Sequence, residues 1–336
     1  MAAARRQGWW TAAALAAGLG WVAAVWFATG MARVRAPGPG ELTIPRGAPA
    51  RVVARILTAA GVFPHPWVGR AALSLWSDPR SLKAGTYRFD GPTSPAKVLE
   101  AVGAGRVALV RVVLPEGLTA REMAQILGRA GVTDPDRFEA LCYAPGSAGR
   151  WGLPGPTLEG YLFPDTYEMA PGLSSESVVD TLVRRFRQVV QELEPLARAR
   201  DLGLKEWVTL ASIVEKETGV PEERPLVAAV FWNRLARGMR LESDPTVIYG
   251  IPEFDGNLTR EHLKADHPYN TYVRRGLPPG PVANPGRASL EAVVRPARVP
   301  YLYFVSRNDG THVFSTTYEE HRRWVRQYQG GGRGRR

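Results

Sequence analysis

Ile44 to Val62 reads I-P-R-G-A-P-A-R-V-V-A-R-I-L-T-A-A-G-V, and Leu114 to Val132 reads L-P-E-G-L-T-A-R-E-M-A-Q-I-L-G-R-A-G-V, without a gap at an offset of 70 positions. Pro, Gly, Ala-Arg, Ala, Ile-Leu and Ala-Gly-Val recur in register. Each copy predicts a short strand, a Pro/Gly turn and a helix closed by a glycine at its C-terminal end. Between the copies, L-K-A-G-T-Y-R-F (Leu82 to Phe89) predicts a strand, and a helix starts at Ser94 with Pro95 in its first turn. Strands and helices of this size read as an α+β fold built from small modules. Such modules serve as packing scaffolds, and some grip carbohydrate.

In front of the repeat, Gly8 to Met31 carries no charged residue and is rich in Ala, Leu, Val and Trp. At about 1.5 Å per residue such a helix crosses a hydrocarbon core of ~30 Å. Trp9 and Trp10 at one end, and Trp26 and Phe27 toward the other, suit the two interfaces. A cleaved signal peptide has a shorter apolar core, of about 7 to 15 residues, so a retained single-pass anchor over 8–31 is expected. Arg5 and Arg6 place the short tail, 1–7, inside, although Arg33 and Arg35 oppose that bias. The A-P-G-P-G stretch at 36–40 ends a linker, 32–40. With 336 residues and 45% hydrophobic content the chain has ample core for two domains, and its net charge of +11 points to an anionic partner. No nucleic-acid-binding signature accompanies that charge, so nucleic acid is not expected as a partner. The single cysteine, Cys142, excludes an intramolecular disulfide.

The chemistry concentrates in V-T-L-A-S-I-V-E-K-E-T-G-V-P-E-E, Val208 to Glu223. Read as a helix, it puts Leu210, Ile213, Val214 and Glu217 on one face. Glu215, rotated roughly 200° from Glu217, should point toward water. A carboxyl on the apolar side loses hydration, and its pKa rises because the penalty falls on the charged form. Glu217 then stays protonated near neutrality and can act as a general acid. The alternative is a rim ion pair with Arg224 or Arg234.

Before this stretch, T-L-E-G-Y-L-F-P-D-T-Y-E-M from Thr157 sets aromatics beside carboxylates and hydroxyls, a mixture that suits a sugar or simply a core. An amphipathic helix follows from Ser174 to Arg200. After it, Pro225 to Met239 reads as a second helix, with Asn233 as polar glue or a surface residue, and S-D-P-T-V-I-Y-G opens on an Asp-Pro turn. His267 to Gly286 is a Pro- and Gly-rich loop, of a length that is usually functional or disordered. The chain closes with two strands around Asp309-Gly310 and a helix capped by Thr316 with Glu319. No nucleotide loop, H-E-x-x-H or G-x-S-x-G occurs, and the five histidines have no ligand spacing, so neither a cofactor nor a metal is expected. That leaves carboxylates. A glycosidase uses two, and Glu159, Asp165 or Asp244 could supply the second; a sugar hydroxyl serving as nucleophile needs only one.

L-K-A-G-T-Y-R-F, L-E-G-Y-L-F-P-D-T-Y, A-S-I-V-E-K-E-T, N-R-L-A-R-G-M-R-L-E-S-D-P-T-V-I-Y-G, Y-N-T-Y, G-L-P-P-G and P-Y-L-Y-F-V, in this order, resemble the endolytic murein transglycosylases, the MltG or YceG-like family. The resemblance spans nearly the whole chain. It implies a single transmembrane helix, a small LysM-like strand-helix module at 41–112, a second repeat unit and connector at 113–156, a larger mixed α/β catalytic domain at 157–328, and a flexible basic tail at 329–336. It implies a lyase of the bacterial inner membrane, with its catalytic domain outside the cytoplasm. Such enzymes cut nascent peptidoglycan glycan strands between MurNAc and GlcNAc, leave 1,6-anhydro ends, and terminate strand growth beside peptidoglycan synthases, the penicillin-binding proteins. The catalytic acid maps to Glu217, and the Glu217-Thr218 pair is similar to the Glu-Ser pair of other lytic transglycosylases. Tyr161, Asp165, Tyr167, Asn233, Asp244, Tyr249, Tyr269, Asn270 and Tyr272 become groove candidates. A non-catalytic wall-binding scaffold and a hydrolytic muramidase using Glu217 with Asp244 remain the competing readings.

Overall fold

The computed structural model describes residues 20–33, 40–76 and 82–330. The expected tail at 1–7, most of the linker and the last six residues lie outside them, as does the first half of the expected span at 8–31. Among the described residues no helix is long and apolar enough to cross a membrane. The chain divides into two compact units, Met1–Val110 and Arg111–Arg336. The architecture is mixed α+β and mostly helical, and its sheets are only two-stranded.

In the first unit a helix over 20–32 (α1) is followed by β1 (Gly40–Ile44), α2 (Ala50–Ala59), α3 (Pro66–Trp76), β2 (Gly85–Phe89) and α4 (Pro95–Ala104). β1 and β2 pair antiparallel, with Gly40 opposite Phe89 and Ile44 opposite Gly85. Their inward residues Leu42, Ile44 and Tyr87 meet Val53 and Leu57 of α2, Leu73 of α3 and Val98 and Val102 of α4. The alternation along β1 and the stripe along α2 therefore feed one core. Tyr87 is fully buried, and its hydroxyl is satisfied by the Lys83 carbonyl at 2.6 Å.

The boundary between the units falls at the first residue of β3 (Val110–Val113), and this strand pairs with β4 (Thr166–Met169) in the second unit. Between these strands lie α5 (Ala120–Arg129), α6 (Pro135–Tyr143) and α7 (Ser147–Arg150). The long α8 (Ser175–Arg198) starts on a Ser174 cap, and α9 (Leu204–Glu217) leads into α10 (Arg224–Ala236). After α11 (Asp244–Tyr249), α12 (Arg260–Lys264) and α13 (Arg287–Val294), the strands β5 (Tyr303–Ser306) and β6 (His312–Ser315) form an antiparallel hairpin, and α14 (Tyr318–Tyr328) ends the chain. The expected cap of α14 moves by one residue: Thr317 and Glu320 make the reciprocal capping box rather than Thr316 and Glu319. The Asp244-Pro245 pair also begins a short helix instead of a turn. Its proline lies in the first turn, where no intrahelical donor is needed.

The two repeat copies close identically at their C-terminal ends. The Ala60 and Val62 amides donate to the Ile56 and Leu57 carbonyls, and the Ala130 and Val132 amides donate to those of Ile126 and Leu127. Gly61 and Gly131 take the left-handed conformation that this closure requires. Their starts differ. The first copy begins on Pro49, which offers no side-chain cap, while Thr119 in the second forms a capping box with Glu122.

α9 is the centre of the second unit. Trp207, Val208, Leu210, Ala211, Ile213 and Val214 are at most 1% exposed, and α10, α11 and α13 pack around them. The Trp207 indole donates to the Leu290 carbonyl of α13 at 2.8 Å. A helix wrapped on every side presents its chemistry only at its ends.

Candidate active site

Glu217 is the last residue of α9, and Thr218 leaves helical geometry. A carboxylate at this end faces the negative pole of the helix, which disfavours its charge. Ser243 Oγ donates to Glu217 Oε1 at 2.5 Å. Oε2 has no hydrogen-bond partner among the described residues, and the residue is only half-buried. Desolvation, with the Asp244 charge adding to it, pushes the Glu217 carboxyl up to about 7, while the Ser243 bond and the Arg234 charge work against the rise. The group is thus half-protonated near neutrality with one oxygen open, which is the state that proton transfer in both directions requires.

Neither arginine offered by the rim-ion-pair alternative is free to hold Glu217. Arg224 pairs with Glu215 at 3.1 Å and with Glu116 at 3.6 Å. Arg234 donates to the Leu302 and Leu241 carbonyls and pairs with Glu242. Glu215 departs from expectation. Rather than facing water, its side chain is 5% exposed, and Oε2 accepts from the Gly286 amide at 2.9 Å. Arg224 and the chain at Gly286 fold over a position that helical phase alone left open.

The groove candidates separate into three groups. Asp244 and Tyr272 lie beside the acid: the Tyr272 hydroxyl donates to Asp244 Oδ1 at 2.7 Å, and the Glu217 and Asp244 charges both push the Tyr272 hydroxyl pKa up, after desolvation. Tyr249 and Tyr269 form a tilted pair with ring centroids 4.8 Å apart, and they belong to a second buried carboxyl, Glu159. The remainder are bonded into the fold. Tyr161 is fully buried, bonded to the Pro154 carbonyl and edge-on to Phe186. Tyr167 bonds the Phe163 carbonyl at 2.6 Å, and Asp165 pairs with Arg185 at 2.7 Å. Asn233 donates to the Val299 and Tyr301 carbonyls, so it is polar glue toward β5 and not toward the acid. Asn270 donates to the His262, Leu263 and Ala265 carbonyls, and its own oxygen accepts from the Tyr272 amide. Thr218 spends its hydroxyl on Glu223 at 3.2 Å, and Glu223 in turn accepts from His312 Nδ1 at 2.6 Å. Thr218 therefore secures the chain that leaves Glu217.

Glu159 has none of the openness of Glu217. It is fully buried, and its oxygens accept from the Ala120 amide at 3.0 Å, Asn284 Nδ2 at 2.8 Å, the Tyr143 hydroxyl at 2.5 Å and, at 3.5 Å, the Tyr249 hydroxyl. Desolvation pushes its carboxyl up to about 7 against the pull of those donors. Gly160, next in the chain, takes a φ of +88°, and a Cβ there would overlap the Pro281 ring.

Ser243, Asn284 and Tyr143 take part in this arrangement without being candidates in the sequence. Ser243 stands directly before Asp244 in the S-D-P-T motif, where its adjacency was the available signal. Asn284 had no local signal, because its partners at Leu118, Glu159, Gly160 and Leu162 are all remote in sequence.

Among known proteins, the chain is 36% identical over 172 residues to the endolytic murein transglycosylase of Bacillus subtilis, covering 51% of this chain and 48% of that one. It is 28% identical over 323 residues to the protein of the same name from Streptococcus pneumoniae strain D39, covering 85% of this chain and 57% of the relative. The chain therefore spans about half the length of the curated relatives it matches. A crystal structure of a yceG-like protein from Listeria monocytogenes superposes with a TM-score of 0.56 at 29% identity, covering 84% of this chain and 97% of that one. Residues 42–327 match the YceG-like family, and the chain belongs to it.

Proposed function

We propose that this chain is an endolytic lytic transglycosylase that cuts nascent peptidoglycan glycan between MurNAc and GlcNAc, with Glu217 as its single acid and base. The observation that carries this reading is the state of Glu217: desolvated, held by one donor, and open at Oε2. Protonated Glu217 donates to the glycosidic oxygen as the C1–O bond breaks. As carboxylate it then takes the proton of the muramic C6 hydroxyl, whose oxygen bonds C1 and closes the 1,6-anhydro ring. Its own proton is restored, and water takes no part. The names of the relatives support this chemistry. On the same reading the segment 8–31 anchors the chain in the bacterial inner membrane with the rest outside the cytoplasm. The first unit acts as a LysM-like module, and strand termination takes place beside the penicillin-binding proteins.

Asp244, whose charge reaches Glu217, favours one competitor: a muramidase in which Asp244 activates water. Mass spectrometry of glycan ends after incubating the protein with uncrosslinked strands separates the two. Anhydro ends, lighter than hydrolytic ends by one water, are expected, with a loss of at least ~10³-fold in Glu217→Gln. Reducing ends would replace the transglycosylase with the muramidase. Binding without cleavage would leave a wall-binding scaffold.

A further inference from the structure

We propose that a cationic cleft at the start of α9 binds a carboxylate of the peptide carried by muramic acid, so that peptide-bearing strands are the preferred substrate. The inference rests on the glycan-cutting reading above. The cleft has a volume of about 570 Å³, and its wall includes Lys205 and Thr209 from α9 and Arg274, Arg275, Leu277 and Pro278 from the loop between α12 and α13. Its ionisable lining holds three cations against one anion, Glu206. Lys205 has no hydrogen-bond or ion-pair partner among the described residues. Arg275 spends one guanidinium nitrogen on the Gly238 carbonyl, and its other donors have no partner among the described residues. Arg274 is held in place by Asp266 through Nε at 3.1 Å and Nη2 at 2.8 Å. Thr209 contributes a second signal, because its buried hydroxyl has no partner among the described residues. Orphaned buried hydroxyls are uncommon, and this one belongs to a residue that lines the charged cleft.

The cleft is coupled to the acid through two elements. Thr209 and Glu217 lie on the same helix, about 12 Å apart at 1.5 Å per residue. The loop that offers Tyr272 to Asp244 beside Glu217 supplies Arg274 and Arg275 to the cleft two and three residues later. A glycan backbone is neutral apart from its muramic substituents. A positive cleft set back from the cleavage point therefore selects for what those substituents carry, and a guanidinium and an ammonium are the groups that recognise carboxylate.

Cleavage kinetics of the full chain test this with three substrates: peptide-bearing uncrosslinked strands, the same strands with their peptide carboxylates converted to amides, and amidase-stripped strands that keep only the lactyl carboxylate. Lys205→Glu is expected to raise KM for peptide-bearing strands about tenfold with kcat unchanged, and Arg274→Gln to raise it less, as for a charge-assisted contact. Wild-type protein should lose the same preference on amidated strands, where the variants no longer differ from it. Equal behaviour of wild type and variants on every strand, or an equal loss on all three, would overturn the cleft. A loss confined to stripped strands would reassign it to the lactyl group. Should wild type cut nothing, the glycan-cutting reading fails separately, and calorimetric titration of free stem tetrapeptide into Glu217→Gln still decides. Salt-sensitive binding abolished by Lys205→Glu supports the cleft, and no binding removes it.

Discussion

Glu217 and Glu159 carry almost the same electrostatic signature in opposite surroundings. Desolvation drives both carboxyls up to about 7. Glu159, however, is closed off, with donors from α5, α6, α11 and the loop before α13 converging on its two oxygens. Glu217 has one donor and one open oxygen. A shifted pKa thus identifies desolvation and not a role. What separates an acid that can exchange its proton with a ligand from one that holds four segments together is the number of hydrogen bonds already committed to it. The second repeat copy is part of that difference, because its helix α5 starts at Ala120, whose amide is bonded to Glu159. The matching position of the first copy, Ala50, starts a helix in a unit with its own core.

Stability is the first place where the comparison can break. Glu159→Ala strands the donors of Ala120, Asn284 and Tyr143 around a cavity, and we expect a loss of about 3–5 kcal/mol. Glu217→Gln keeps a hydrogen-bonding group at a half-buried position, and its unfolding free energy should stay within ~0.5 kcal/mol of wild type. Urea denaturation of both variants measures this. Equal losses would mean that Glu217 is as structural as Glu159.

The pH dependence of folding should sharpen the same contrast. The folded-state value of Glu159 lies above its ordinary 4.5, so the native state binds the proton more tightly than the unfolded chain. The associated stability is fully present below pH ~4.5 and is lost as pH rises through about 7, for up to ~3 kcal/mol. Denaturation midpoints compared at pH 5 and pH 8 should fall in wild type, and Glu159→Gln should flatten that fall. A slope unchanged in Glu159→Gln would show that the carboxyl titrates at its ordinary value.

What the chain announces in advance follows the range of the interactions. The repeat, its glycine closures, the Ser94 and Ser174 caps and the β5–β6 hairpin are set within a few residues, and the sequence predicts them to within a residue or two. Glu217 rather than Glu215 is the open carboxyl, but not for the amphipathic reason. α9 has no wet face along Trp207–Val214; Glu217 is open because the helix ends there, and Glu215 is closed because Arg224 and Gly286 reach it. Tyr161 and Tyr167 look like sugar platforms in a motif of aromatics and acids, yet their hydroxyls bond carbonyls inside the core. No local pattern shows which aromatic will find a partner across the fold, and for the same reason the sequence leaves Asn284 silent while the structure makes it a hub.

Ser243 gives the smallest and most selective test. Its hydroxyl is the only donor to Glu217 among the described residues, and that bond holds the carboxyl below where burial alone would put it. Ser243→Ala removes about 1 kcal/mol of preference for the charged form, so the alkaline limb of the kcat/KM profile, where the acid is lost, should move up by somewhat less than one pH unit. Stability should change little, since the remaining Ser243 contacts run through its backbone to Thr271 and Thr246. The same loss of a donor at Glu159, through Tyr143→Phe, should act on folding and leave the limb where it was. If both substitutions moved the limb equally, proton supply would be shared by the two carboxyls, and the distinction drawn between an open and a saturated acid would no longer hold.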